Sequence, residues 1–278
     1  MATVLRPLST SELLDRTFHL YRNHFLVFLG ITAIPQLVVL ALRLWNAAIL
    51  MRGPFNTLGL VGLVAGLVSY IAIEISAAAT VMAVSNAHLD RPVSVGSAFS
   101  MARSSMLRVI LITLAVSIAA GIGLVFLIVP GIYLWLMWSL AIPITVLEGG
   151  GLNASTKRSQ KLSEGTRWRI LLIYVLVIGL AMLVGMIFQT PLALVAILIK
   201  GGNAASAIPL ITAVSAVGTF ISTSLVGPLA TIALTLIYYD QRVRKEGFDL
   251  QLMMAALQPG PALPDAQAPA AAAAAPNS

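Results

Sequence analysis

The stretch that decides the fold is residues 107–147, LRVILITLAVSIAAGIGLVFLIVPGIYLWLMWSLAIPITVL, in which Arg108 is the only charged residue. As one straight helix, these 41 residues would measure about 60 Å, twice the roughly 30 Å of hydrocarbon in a bilayer. We therefore predict two membrane spans, residues 107–129 and 131–147, joined by a tight hairpin at Pro130-Gly131. Because the second span has only about 17 residues, a re-entrant or broken helix is the alternative there.

Similar apolar runs fill most of the remaining chain. Hydrophobic residues make up 59% of the sequence and charged residues 10%, against about 45–50% and about 25% in soluble domains. No soluble core could bury so much apolar surface. We predict an all-α polytopic membrane bundle of about six transmembrane helices. The other spans are placed at residues 25–51, 58–85, 169–199 and 207–239, with Pro191, Pro209 and Pro228 as kink sites.

Basic residues are distributed unevenly between the two sides of this bundle. Fourteen of the 17 Lys and Arg residues fall on one side if both termini lie there, and Arg43, Arg52 and Lys200 fall on the other. Loops rich in Lys and Arg stay in the cytoplasm. The sequence therefore predicts an even number of spans, cytoplasmic amino and carboxyl termini, and a location in the bacterial cytoplasmic (inner) membrane.

Three cytoplasmic segments have the spacing of short amphipathic helices at the membrane interface. They lie near residues 9–22, 94–106 and 153–163. In the first, Ser9 and Glu12 have the spacing of a capping box. The second begins at Ser94, and Asn153 is the expected cap of the third.

The chain divides into one domain and a tail. We assign residues 1–248 to the six-span membrane domain. Residues 249–278 are rich in Ala and Pro, a composition that cannot bury enough apolar surface to fold. We predict a disordered cytoplasmic tail.

Catalytic, metal-binding and cofactor-binding motifs are missing from the sequence. It has no cysteine, no phosphate-binding glycine loop, no HExxH and no GxSxG. Its histidines, His19, His24 and His88, lie in no metal or acid–base pattern. We predict no catalytic residue, no metal and no cofactor. The net charge of +7 is explained by topology rather than by nucleic-acid binding.

Three polar side chains, Glu74, Gln36 and Gln189, are predicted to lie inside the membrane. Glu74 lies about 11 residues, or roughly 16 Å, from the inner end of its span, close to the bilayer midplane. A carboxyl group there is costly and usually functional, as a protonatable or cation-binding group in a cavity. The alternative is a protonated side chain that hydrogen-bonds a neighbouring helix and only helps packing. Gln36 and Gln189 carry the same two alternatives.

A basic cluster precedes the fifth span. It consists of Lys157, Arg158, Lys161, Arg167 and Arg169. Such a cluster can bind anionic lipid headgroups, with each charge contributing on the order of 1 kcal/mol. Topological sorting of charge explains the cluster equally well.

Small residues recur at four-residue spacing on three spans. They are Gly62 and Gly66, then Ala115, Ala119 and Gly123, then Gly218 and Ser222. Small residues at this spacing let helices approach closely. The pattern predicts helix packing inside one bundle, with dimerisation as the alternative.

Three groups of residues fall in the order of a known family. They are Leu8-Ser9, Glu12-Leu13-Leu14-Asp15-Arg16 and Tyr21-Arg22; then Val129-Pro130-Gly131-Ile132-Tyr133, Trp138-Ser139, Pro143, Glu148, Ala154, Arg158-Ser159, Leu162, Gly165 and Trp168; and finally the run from Tyr238-Tyr239-Asp240 to Asp249. Over roughly residues 5–257 the chain resembles the glycerophosphoryl diester phosphodiesterase membrane-domain family and its stand-alone bacterial relatives. In some members this domain accompanies a separate domain that hydrolyses glycerophosphodiesters. The resemblance implies no activity for the stand-alone members.

These observations favour a non-enzymatic membrane scaffold that binds lipids, with a homo-oligomer or a membrane protein partner as further interactions. One alternative is a small-solute or lipid transporter or channel that uses intramembrane Glu74. A lipid-modifying enzyme acting through Glu148, Asp240 or His88 is the second alternative. It is the weakest, because no paired acid and base are visible.

Overall fold

The computed structural model describes residues 8–50, 58–88, 91–199, 201 and 204–246, and these residues form nine helices and no strand. The helices are α1 Thr10–Asn23, α2 Phe25–Leu50, α3 Leu58–His88, α4 Val95–Phe126, α5 Ile128–Met137, α6 Ala141–Glu148, α7 Leu152–Ser163, α8 Arg167–Ile199 and α9 Ala204–Glu246. The predicted tail, residues 249–278, lies outside the described residues.

Six helical segments are long and apolar enough to cross a membrane. They are Phe25–Ile49, Gly62–His88, Val95–Phe126, Ile128–Glu148, Arg167–Ile199 and Ala207–Glu246. The predicted all-α polytopic bundle of six spans is confirmed. Leu8 donates a backbone hydrogen bond to Asp240 near the end of α9, so the first and last described residues lie at the same end of the bundle.

The hairpin between the third and fourth spans turns at Leu127, so its predicted position at Pro130-Gly131 is wrong by three residues. Leu127 is extended, with φ −157° and ψ 131°, and Pro130 lies in the first turn of α5. An amide hydrogen is not needed in a first turn, so proline is tolerated there. Gly131 instead allows the close approach of the two helices, because a Cβ at this position would lie 2.5 Å from the backbone nitrogen of Leu124.

The fourth span is broken between α5 and α6, as the alternative for this short span anticipated. At the break, the carbonyl of Met137 accepts hydrogen bonds from the hydroxyls of Ser159 (3.0 Å) and Ser163 (3.1 Å) on α7. The amide of Leu140 donates to Ser159 Oγ at 3.2 Å. A backbone group without a partner inside a membrane protein costs several kcal/mol, so these serines make the break tolerable.

The three predicted amphipathic helices have different outcomes. Helix α1 has the expected capping box of Ser9 and Glu12. The second is not a separate element, because α4 runs without interruption from its cap at Ser94 into the third span. The third is α7, but it is capped at Gly151 rather than Asn153. The interfacial position of α1 and α7 stays a prediction.

Helix α9 packs against α8, α2, α3 and α1 and carries much of the buried core. Pro228 lies inside α9 and has no amide hydrogen, so the carbonyl of Ser224 loses its helical donor. The hydroxyl of Thr32 on α2 supplies the missing hydrogen bond at 2.9 Å. One residue later, Tyr21 on α1 donates to the carbonyl of Leu225 at 2.6 Å. Pro191 and Pro209 also lie within continuous helices.

Replacing Gly131 with alanine should lower the free energy of unfolding by about 1–3 kcal/mol, because the new methyl group meets the backbone of α4. The matched control is Gly121→Ala, since a Cβ there has no described atom within 4 Å. Alanine should stabilise that helix position by up to about 1 kcal/mol. Unfolding in mixed detergent micelles measures both variants, and equal stability would contradict the tight hairpin.

Candidate functional site at the basic end of the bundle

The basic end is the end of the bundle where α8 begins at Arg167 and α9 ends at Glu246. Its most buried charge is the carboxylate of Asp240, whose side chain is 0% exposed. Arg169 Nη1 lies 2.8 Å and Arg244 Nε 3.0 Å from Asp240 Oδ2. The amide of Leu8 donates to Oδ1 at 2.7 Å. The guanidinium of Arg169 also donates to the carbonyls of Leu8 and Ser9, so one cluster joins the start of the chain to α8 and α9.

Arg158 forms a second cluster with two glutamates. Its Nε lies 2.7 Å from Glu148 Oε2 at the end of α6, and its Nη1 lies 2.6 Å from Glu246 Oε1 at the end of α9. Tyr238 donates to Glu148 Oε1 at 2.8 Å, and Arg242 also pairs with Glu246. The hydrogen bonds to Glu148 and then Glu246 raise the pKa of Arg158, so its charge is permanent. This cluster fixes α6, α7 and α9 to one another.

The five basic residues of the predicted lipid-binding cluster therefore differ in their surroundings. Arg158 and Arg169 are held by carboxylates inside the chain. Arg167 hydrogen-bonds the hydroxyl of Tyr133 and lies 4.5 Å from the centre of that ring. Lys157 and Lys161 are exposed on α7, and no carboxylate of the described residues forms an ion pair with either.

The serines of α7 explain why Lys157 and Lys161 are exposed. Ser155, Ser159 and Ser163 are spaced four residues apart and are buried, and two of them satisfy the break in the fourth span. Ser155 pairs with the hydroxyl of Thr145 on α6 at 3.1 Å. With the serine face turned inward, the lysines necessarily face outward. This role of the serines was not predicted, although their four-residue spacing was a usable signal.

The residues named for an enzymatic alternative do not meet in one place. Glu148 is bound by Arg158, and Asp240 by Arg169 and Arg244. His88 stacks on Tyr239, with ring centroids 5.0 Å apart. Among the described residues, no group of three or more His, Cys, Asp and Glu side chains could hold a metal ion.

Inside the bundle, Glu74 lies between α3 and α4 and is only 8% exposed. Its polar neighbour on α4 is Thr113, whose hydroxyl lies 2.7 Å from that of Tyr70 and donates to the carbonyl of Val109 at 2.8 Å. Its second oxygen, Oε2, is buried without a hydrogen-bond partner among the described residues. Glu74 thus has a polar neighbour, while its Oε2 lacks a hydrogen-bond partner among the described residues.

The two glutamines occupy other helix interfaces. Gln36 lines a cavity of about 50 Å³ between α2, α3 and α9, together with the hydroxyl groups of Thr32, Ser76, Thr80, Thr223 and Thr231. Gln189 lies in a groove of about 320 Å³ between α8 and α9, where its Nε2 is 3.5 Å from Thr219 Oγ1. Neither space is lined by Glu74. The structure therefore does not bring the three predicted polar residues into one site.

The small residues predicted to pack helices fall into two groups. A Cβ on Gly123 would lie 3.0 Å from Gly131, and one on Gly218 would lie 2.7 Å from Gln189 Cγ, so both glycines make close contacts. Ser222 bonds back to the carbonyl of Gly218, and Ala115 and Ala119 are half-buried on α4. By contrast, Gly62 and Gly66 are exposed, and a Cβ on either meets no described atom within 4 Å. Packing by that pair within the described bundle is not observed.

Comparison with known families decides the identity of this bundle. The family described as the membrane domain of glycerophosphoryl diester phosphodiesterase matches residues 110–256, more than half of the chain. The chain belongs to this membrane-domain family. No curated protein and no solved structure matches it.

The matched part of the glycerophosphoryl diester phosphodiesterase membrane domain contains both ion-pair clusters. It begins within α4 and includes α5 to α9, and hence Glu148, Arg158, Arg169, Asp240 and Glu246. Among the described residues, only the backbone groups of Leu8 and Ser9 reach the Asp240 cluster from outside the matched part. The basic end is thus the part of this membrane domain in which the family match and the buried charges coincide.

Replacing Asp240 with asparagine should lower the free energy of unfolding by about 3 kcal/mol, because Arg169 and Arg244 would keep their charges without the buried counter-charge. The control is Asp15→Asn, the same chemical change at an exposed position. That change should stay within about 0.5 kcal/mol of the wild type. Unfolding in mixed micelles tests the pair, and a tolerated Asp240→Asn would show that the cluster contributes little.

Proposed function

We propose that this membrane domain is a non-enzymatic lipid-binding scaffold of the bacterial cytoplasmic membrane, with both termini in the cytoplasm. The observation that carries the proposal is the division of charge on α7. Its serine face packs inward, and Lys157 and Lys161 remain exposed without a carboxylate partner among the described residues. The scaffold holds anionic lipid headgroups through these two lysines.

The neighbouring carboxylates strengthen this proposal. Glu148, Asp240 and Glu246 are already paired with arginines, so they do not neutralise the two lysines. The hydroxyl-bearing face of α7 is occupied by the broken span and is not available to a ligand. The outward face of α7 carries the positive charges of Lys157 and Lys161 on long, flexible side chains. Such charge attracts anionic headgroups without selecting one acyl chain or one headgroup structure.

Replacing Lys157 and Lys161 together with glutamine should weaken binding of anionic lipid by roughly 30-fold, since each lysine contributes about 1 kcal/mol. Replacing both with arginine keeps the charge and is the matched control. Detergent-solubilised protein is titrated with short-chain phosphatidylglycerol and, for comparison, phosphatidylcholine, and bound lipid is counted by native mass spectrometry. The glutamine variant should lose its preference for phosphatidylglycerol. Equal preference in all three proteins would reject the proposal, and a copurifying second copy or membrane protein would favour protein binding instead.

A transporter or channel is the second candidate function, and one observation favours it. Glu74 is buried in the third span with one oxygen unsatisfied, an arrangement that suits a group that exchanges a proton or a cation. If it does, Glu74→Gln should abolish cation-dependent flux into proteoliposomes. The matched control is Glu164→Gln, which makes the same change at an exposed position outside the spans. Flux that survives Glu74→Gln would remove this carboxylate from any transport mechanism.

A further inference from the structure

The end of the bundle opposite the basic end contains a groove between α2, α3 and α9, lined by both polar and apolar residues. Its volume is about 420 Å³, and Arg43, Asn46, Gly66, Thr212 and Ser215 are among the residues that line it. The groove lies within the outermost turns of three spans, since Arg43 follows the start of α2 by 18 residues, or about 27 Å. At this depth a guanidinium group reaches the level of the lipid phosphates.

Arg43 has no counter-charge in this part of the molecule. No ion pair joins it to a described carboxylate. The sequence offers none either, because residues 16–73, 91–147 and 165–239 contain no Asp or Glu. Among the described residues, no carboxylate therefore supplies the counter-charge of Arg43.

Polar groups lie beside Arg43 in the groove. An arginine that only extends to the membrane interface would not require such neighbours. Asn46 Oδ1 is buried and has no hydrogen-bond partner among the described residues. Thr212 and Ser215 on α9 also line the groove; the hydroxyl of Thr212 donates to the carbonyl of Ile208 at 2.9 Å, and that of Ser215 has no partner among the described residues. One cation, the hydroxyl of Ser215 and an unsatisfied acceptor together suit a phosphate ester that also carries a hydrogen-bond donor.

We propose that this groove binds the phosphate-bearing headgroup of a phospholipid from the adjacent leaflet. Arg43 pairs with the phosphate, and Asn46 Oδ1 accepts a hydrogen bond from a headgroup hydroxyl. The occupant is a lipid rather than free phosphate because the groove lies between membrane-spanning helices, where acyl chains are the neighbours. This site is separate from the lysines of α7 and does not depend on the function proposed for them.

Two variants test the groove by different physical changes. Arg43→Gln removes the charge, and Arg43→Lys is its control, because it keeps the charge. Gly66→Phe keeps Arg43 but places a ring in the groove, where a Cβ on Gly66 meets no described atom within 4 Å. Gly121→Phe is the control for a new ring on an open helix position. Retained helical circular dichroism and a single gel-filtration peak identify folded variants.

Binding is measured by native mass spectrometry with short-chain phosphatidylglycerol, in a background in which Lys157 and Lys161 are glutamine. This background removes the headgroup contacts proposed for α7. Arg43→Gln and Gly66→Phe should each weaken binding of one lipid by about tenfold or more, as expected for the loss of a charge-assisted contact. The two control variants should keep it.

Two outcomes would overturn the assignment. Unchanged lipid binding in both Arg43→Gln and Gly66→Phe would show that the groove is not a headgroup site. Displacement of the lipid by inorganic phosphate or glycerol 3-phosphate at equal concentration would identify a site for free phosphate esters instead. Because the lysines of α7 are absent from this background, either result leaves the function proposed for the basic end unaffected.

Discussion

The buried carboxylate of Asp240 is the interaction on which the arrangement of this bundle depends. A charge with no exposed surface is tolerated only when it is paired and hydrogen-bonded. Asp240 obtains two partners from distant parts of the chain, the backbone of Leu8 and Arg169 at the start of α8, and a third, Arg244, from one turn further along its own helix. Satisfying this one carboxylate therefore fixes the beginning of the chain, α8 and the end of α9 at the same place.

The same principle governs the neutral backbone inside the membrane, where water cannot replace a missing hydrogen bond. The broken fourth span leaves the carbonyl of Met137 and the amide of Leu140 without helical partners, and the serines of α7 supply them. Pro228 leaves the carbonyl of Ser224 free, and Thr32 supplies its donor. At these two irregularities a hydroxyl from another helix supplies the missing partner, which couples helix packing to backbone hydrogen bonding.

Both proposals of lipid binding rest on cations that the internal ion pairs and hydrogen bonds leave without a carboxylate partner. At the basic end, Glu148, Asp240 and Glu246 pair with arginines, and the lysines of α7 face outward because its serines face inward. At the opposite end, the sequence supplies no carboxylate at all, and Arg43 stands among polar groups in a groove. A membrane protein that leaves cations without a paired carboxylate at both ends of its bundle is suited to contacts with phosphate headgroups.

The sequence by itself determined the six spans, the helical class, the capping box at Ser9 and the family, because apolar run length, cap spacing and motif order are local properties of the chain. It did not determine which charges pair: Leu8 and Asp240 are 232 residues apart, and Arg158 and Glu246 are 88 apart. The predicted hairpin position was three residues too late: the chain turns at Leu127, and Gly131 lies within α5, where it packs closely against α4. Only the tertiary structure decided that the serines of α7 serve the broken span and that Glu74, Gln36 and Gln189 lie in separate interfaces. Those outcomes depend on which helix faces pack together. The periodicity of a helix identifies its buried face but does not identify the helix that packs against that face.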